Sequence, residues 1–178
     1  GMKSLMGGMM VSAKGMVPPN SPWFGKPSFE VKYDVPAAKA LMAQAGFSKD
    51  KPLKVRAIMS PSGSGQMQPQ LMNELIQQNL AEIGIQVEFD TRDWNALLAN
   101  WRYYQDKDMD ALFDNIRTEF DPKVQLTAIQ KAHEKYVNDA LFLFVAHDVA
   151  PRAMSKKVKG FVPAQNWFQD FTTISMDK

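Results

Sequence analysis

The sequence predicts an α/β fold, a βαβ core with flanking helices, and three stretches between Leu53 and Phe89 carry that expectation. Leu53, Val55, Ala57 and Met59 alternate with Lys54, Arg56 and Ile58, the period of two that a strand requires. The run Pro61-Ser62-Gly63-Ser64-Gly65 behind it breaks regular structure and turns the chain. Met67, Leu71, Met72, Leu75, Ile76, Leu80 and Ile83 then recur at steps of three and four, which makes one apolar stripe on a helix. Gly84 follows, where a left-handed C-terminal cap is wanted, and Ile85, Val87 and Phe89 alternate as a second strand. Two strands joined by a helix through short connections form a right-handed crossover, so they run parallel in one sheet. Open α/β sheets bind ligands beyond the carboxyl ends of their strands, which directs attention to the loop 60–66.

The remaining elements follow in chain order. Residues 2–32 include Val17-Pro18-Pro19 and Ser21-Pro22, too rich in proline for a helix or a central strand, and predict a linker or a wrapping arm. Asp34 is placed to cap a helix with Pro36 in its first turn, Leu41 and Met42 facing inward and Gly46 at its end. Beyond the core, Asp93 caps a short helix that carries Trp94, Leu97, Leu98 and Trp101. Met109, Leu112, Phe113, Ile116 and Phe120 give the next helical stripe, and Asp121-Pro122 restarts a helix that reaches Asn138. That helix is expected to bury Leu126, Ile129, His133, Tyr136 and Val137. The apolar run 141–145 predicts a buried strand, and 158–162 a further one.

Composition narrows the classes. The 178 residues are 45% hydrophobic, enough to fill a core. The net charge of +2 comes from interspersed acids and bases, so no nucleic-acid partner is expected. Cysteine is absent, which excludes disulfides, thiolate metal sites and cysteine nucleophiles. The 12 methionines read as pliable packing residues. The longest apolar run, 140–146, is far shorter than a bilayer span. No signal peptide is expected: Gly1-Met2 resembles a tag remnant, and residues 3–11 are interrupted by Gly7-Gly8.

His133 lies on the apolar stripe of its helix and is expected to be a core histidine. His147-Asp148 invites a hydrolase or metal reading, but adjacent strand residues face opposite ways and no further ligands stand at metal spacing. Asp106, Asp108, Asp110 and Asp114 lack the glycine and closing glutamate of a calcium loop and read as a helix start. Gly63-Ser64-Gly65 lacks the partners of a phosphate loop but remains a backbone-amide site. Trp94, Trp101, Tyr103, Tyr104 and Trp167 are candidates for a cleft wall or for core. No nucleophile stands beside a base and no carboxylate pair is evident, so no enzyme and no cofactor are expected.

The segment Tyr33-Asp34-Val35-Pro36-Ala37-Ala38-Lys39-Ala40-Leu41-Met42-Ala43-Gln44-Ala45-Gly46 resembles a signature of the extracellular solute-binding proteins of peptide, dipeptide and nickel ABC transporters. Residues 8–19, Ile83-Gly84-Ile85, Asp93-Trp94-Asn95-Ala96-Leu97-Leu98, Asp110-Ala111-Leu112, Asp121-Pro122 and Val158-Lys159-Gly160-Phe161 resemble further family segments in the same order. The resemblance implies a partial lobe of the type II periplasmic-binding-protein fold: an arm or linker over 1–32, then a partial domain over 33–178. Within that domain 33–99 would be the βαβ lobe and 100–178 the closing helices and strands. The family pattern places several dozen more residues between Ala99 and Asn100, and only its C-terminal third is matched.

By this resemblance the chain is a non-enzymatic substrate-binding component of a peptide or dipeptide ABC transport system, periplasmic, with a small peptide or similar solute and an ABC permease as partners. Its ligand-binding candidates are Ser62, Ser64 and Gln66 in the loop 60–66, with Trp94 and Trp101 among the aromatic residues. Binding is expected to be weak or lost without a second jaw, since affinity depends on enclosing the ligand. Exposed edges would favour homo-oligomers, with residues 2–16 as the exchanging element. The alternatives are a self-associating relic without ligand and a small hydrolase or metal enzyme using His147 and Asp148.

Overall fold

A computed structural model describes residues 2–5, 7–62, 68–99, 105–148, 152–164 and 168–177. The chain divides into two compact units, Gly1–Asp148 and Val149–Lys178. The first contains α1 (Met2–Leu5), β1 (Met10–Ser12), α2 (Val35–Gln44), β2 (Leu53–Met59), α3 (Pro69–Ala81), β3 (Ile85–Thr91), α4 (Trp94–Ala99), α5 (Lys107–Thr118), α6 (Pro122–Asn138) and β4 (Ala146–Asp148). The second contains β5 (Val158–Lys159) and β6 (Ser175–Met176), paired antiparallel.

The βαβ unit forms as its periodicity predicts. β2 and β3 run parallel in register from Leu53↔Ile85 to Met59↔Thr91, with α3 against β3. Helix α3 begins at Pro69, because proline fits a helix only in its first turn and holds the preceding Gln68 extended at φ −134°. Gly84 closes the crossover at φ +88°, and a Cβ there would stand 2.6 Å from the Ser48 carbonyl carbon, so backbone conformation and the neighbouring loop both require glycine.

Aspartate caps set the other helix starts. Asp34 accepts from the Ala37 amide at 2.9 Å, Asp106 from the Asp108 and Met109 amides at 2.9 Å, and Asp121 from the Lys123 amide at 2.8 Å. Helices α5 and α6 pack as a hairpin around Met109, which is 2% exposed, with Ala128, Ala132 and Val137 also buried. Leu126, Ile129 and Tyr136 are half-buried rather than core, Phe120 at the end of its stripe is 94% exposed, and Leu41, expected to face inward on α2, is 63% exposed.

Residues 13–29 run along α6 and are fastened to it by side chains spaced at three and four. Gln130 Nε2 donates to Pro22 O at 2.7 Å, Glu134 Oε1 accepts from Lys26 N at 2.6 Å, and Asn138 Oδ1 accepts from Ser28 N and Phe29 N at 2.8 and 3.0 Å. His133 sits in the middle of this row and is 6% exposed. Residues 2–32 are less irregular than their prolines predict, since they include α1 and also β1, which pairs antiparallel with β4.

Two predicted strands are corrected. Residues 141–145 are not a strand: Ala140 at φ +49° and Leu141 bond back to Val137 O and Tyr136 O, and Phe142 packs 5.8 Å from the Tyr136 ring. The strand starts only at Ala146, where β1 supplies a partner. The strand expected over 158–162 stops at Lys159 because Gly160 turns at φ +72°, where a Cβ would meet Thr173 O at 2.1 Å.

Candidate functional site

The parallel pair ends its two strands side by side, at Met59 and Thr91, and the ladder closes there with Arg92 N donating to Met59 O at 2.9 Å. Ser60 follows β2 and is 1% exposed. Its hydroxyl donates to Ser62 O at 2.6 Å and accepts from Ser62 N at 3.4 Å, which sets the first turn of the loop and leaves Ser62 at the surface. Ser64 and Gln66, together with Gly63 and Gly65, lie outside the described residues.

Opposite this turn, β3 ends in a charged group. Arg92 grips Asp90 with two hydrogen bonds, Nε to Oδ1 at 3.1 Å and Nη2 to Oδ2 at 2.6 Å, and Arg56 Nη1 stands 3.9 Å from the same Oδ2. The Arg92 hydrogen bond holds the Asp90 carboxyl below the usual carboxylate range; partial burial opposes it, and the charges of Arg92 and Arg56 add to it. Trp94 opens α4 immediately beyond, half-buried, after Asp93 caps the helix through the Asn95 and Ala96 amides at 3.0 and 3.1 Å. Ser62 and Trp94 thus follow adjacent parallel strands at one end of the sheet. Trp101, Tyr103, Tyr104 and Trp167 lie outside the described residues.

Such an arrangement offers hydroxyls, main-chain groups, a fixed ion pair and an aromatic wall. It suits recognition of a polar solute by hydrogen bonds. The period of β3 shows through its apolar residues Ile85, Val87 and Phe89 and does not single out Asp90 and Arg92. A legible signal existed: Asp90-Thr91-Arg92 puts two opposite charges at i and i+2, on one face, at the end of a strand.

The other candidates resolve by position. His147 and Asp148 are consecutive on β4, in register with Val11 and Met10. Among the described residues no group of three His, Cys, Asp or Glu is placed to hold a metal ion. Asp106 is a helix cap and Asp114 pairs with Arg117. His133 is a buried residue of α6 that packs against residues 13–29. A shallow open groove of about 790 Å³ lies between α5 and α6, lined by Leu112, Val124, Ala128 and Lys131, away from the strand ends; it is a cleft between two helices rather than a convergence of polar groups.

The model of the bacterial extracellular solute-binding proteins, family 5 (middle), matches residues 2–135. No curated protein matches the chain. Among solved structures, a dipeptide-binding protein from Pseudoalteromonas sp. SM9913 in complex with Met-Leu superposes with a TM-score of 0.74 at 17% identity, over 99% of this chain and 42% of the other. HbpA2 from Haemophilus parasuis gives 0.75 at 17% identity, over 97% and 41%. The periplasmic binding protein DppA from Helicobacter pylori in complex with the peptide STSA gives 0.69 at 19% identity, over 99% and 41%. The partial α/β fold is therefore that of the substrate-binding proteins, and the chain spans about two fifths of the length of these structures. With the family model covering residues 2–135, the chain belongs to the bacterial extracellular solute-binding proteins of family 5.

Proposed function

We propose that this chain acts as a non-enzymatic, solute-binding component of an ABC-type peptide transport system on the outer side of the cytoplasmic membrane, with a short peptide or similar solute as ligand and an ABC permease as partner. The observation that carries the reading is the end-to-end superposition of the chain, 99% of its length, on solute-binding proteins whose structures hold Met-Leu and STSA. The sheet end supplies the contacts: Ser60 and Ser62 after β2, Asp90, Arg92 and Trp94 after β3, with Ser64, Gln66 and Trp101 as further contributors. Residues 33–99 act as the recognition lobe, residues 1–32 as an arm and 100–178 as the closing segment. Because one wall encloses a ligand only partly, the affinity of this chain by itself is weak, with Kd on the order of 1 mM.

Self-association is a second reading, favoured by Val11 and Leu143, 58% and 64% exposed beside the β1–β4 pair. Native mass spectrometry with Met-Leu and with a tetrapeptide mixture tests both. Peptide adducts that disappear on denaturation support binding, and a dimer in their absence supports self-association. A bare monomer at every peptide concentration contradicts both.

A further inference from the structure

We propose that His133 is an acid-sensitive latch: its neutral imidazole holds residues 15–17 on α6, and a proton gained at Nε2 frees them while the chain on either side stays docked. Every partner of the ring is supplied by this chain, and the latch does not depend on the solute site. Met16 N and Val17 N both point at Nε2, at 3.1 and 3.5 Å, and Nδ1 lies 2.7 Å from Phe24 O. A carbonyl oxygen only accepts and an amide N–H only donates, so the partners decide the tautomer: Nδ1 carries the hydrogen and Nε2 keeps its lone pair.

That arrangement has no place for a second ring proton. An Nε2–H would face two N–H donors. The ring is 6% exposed, and a Cβ on Gly15 would stand 2.5 Å from Nε2, so the main chain lies directly against that nitrogen with no room for a bridging water. Nor does a carboxylate offset the charge. On the arm, Lys14 donates to Val31 O and Lys26 gives its amide to Glu134 of α6. Lys135 of α6 is held by Asp106 and Asp139, Lys131 and Asp108 line the α5–α6 groove, and β4 adds His147 and Asp148. Among the described residues none of these forms an ion pair with His133.

Both flanks are fastened by other means. Ahead of the latch, β1 pairs with β4 and Ala13 N donates to Val145 O at 3.3 Å. Behind it, Gln130, Glu134 and Asn138 hold Pro22, Lys26, Ser28 and Phe29. A protonated ring still donates from Nδ1 to Phe24 O, so only the Nε2 side fails, and residues 15–17 open as a loop between two anchors. The proton binds the open form in preference to the closed one. Histidine in water gains its proton near about pH 6.5, so the closed form holds above that pH and loses ground about tenfold per pH unit below it.

The test is amide hydrogen exchange of the whole chain, read as protection factors at about pH 7.5 and about pH 5. Protection of the Met16 amide is expected to fall about thirtyfold in acid, while Ser28 and Phe29 keep theirs. His133→Gln, whose amide does not titrate, is expected to abolish that pH dependence. Should the variant fail to fold, the ring nitrogen shifts of His133 in the wild type give the same answer, since Nε2 is expected to gain its proton in step with the loss at Met16. Equal Met16 protection at both pH values, a loss shared by Ser28 and Phe29, the same loss in His133→Gln, or a protonated Nε2 with Met16 still protected would each overturn the proposal.

Discussion

The Nδ1 of His133 lies 2.7 Å from the carbonyl oxygen of Phe24, and the two rings meet at a tilt of 46° with centroids 4.9 Å apart. With Nδ1 donating there, Nε2 is the acceptor for the Met16 amide at 3.1 Å, so one neutral imidazole ties two points of the arm to α6. The sequence predicts a core histidine here, and the structure shows that its packing also fastens the arm.

Gly15 is the counterpart of that contact. A Cβ at Gly15 would stand 2.5 Å from His133 Nε2 and 3.1 Å from Val137 Cγ2. Gly15→Ala should therefore lift the arm and destabilise by about 1–3 kcal/mol. His133→Leu fills the space but strands Phe24 O and Met16 N, at about 2–4 kcal/mol. Thermal melts read both, at about 2–4 °C per kcal/mol, and His133→Gln is expected to fall between wild type and His133→Leu.

Gly84→Ala tests the crossover. The substitution places a side chain at φ +88° and against the Ser48 main chain. A loss of about 2–3 kcal/mol is expected in denaturant unfolding, with an unchanged m value because the same surface is exposed.

The Asp90–Arg92 pair predicts a pH dependence. The folded pKa of Asp90 lies below its unfolded value, so its contribution is fully present above about pH 4 and is lost as pH falls through the folded value. Asp90→Asn should lower the melting temperature at pH 7 and converge with wild type in acid. A difference that grows on acidification would contradict the assignment.

Lys135 behaves oppositely. Its ammonium lies 2.7 Å from Asp139 and 2.9 Å from Asp106, and these two hydrogen bonds, Asp139 first, raise its pKa well above the ordinary lysine value. A raised pKa makes the contribution full below about pH 10 and lost only above it. Lys135→Gln should thus destabilise by the same amount from pH 6 to about pH 9. Amide exchange should show the loss at the start of α5, which Asp106 caps.

How much of this was legible in the sequence follows from what each residue depends on. β2, α3 and β3 were readable because their periodicity, Pro69 and Gly84 are local signals. The aspartate caps at 34, 93 and 121 were readable for the same reason. The strand at Ala146–Asp148 was not, because it exists only where β1, more than 130 residues earlier, provides the ladder. The role of His133 was half legible: its apolar setting showed in the helical period, while its partners, Met16 and Phe24, are long-range. Asp90 and Arg92 were missed because the apolar alternation of β3 drew the reading away from its polar face.

Titration of the isotopically labelled chain with Met-Leu, followed by amide chemical shifts, separates binding at the sheet end from binding elsewhere. Saturable shifts are expected at Ser60, Ser62, Asp90, Arg92 and Trp94, at millimolar ligand, with Lys54 and Arg56 unmoved. Shifts confined to the α5–α6 groove, or none up to about 10 mM peptide, would contradict binding at the sheet end.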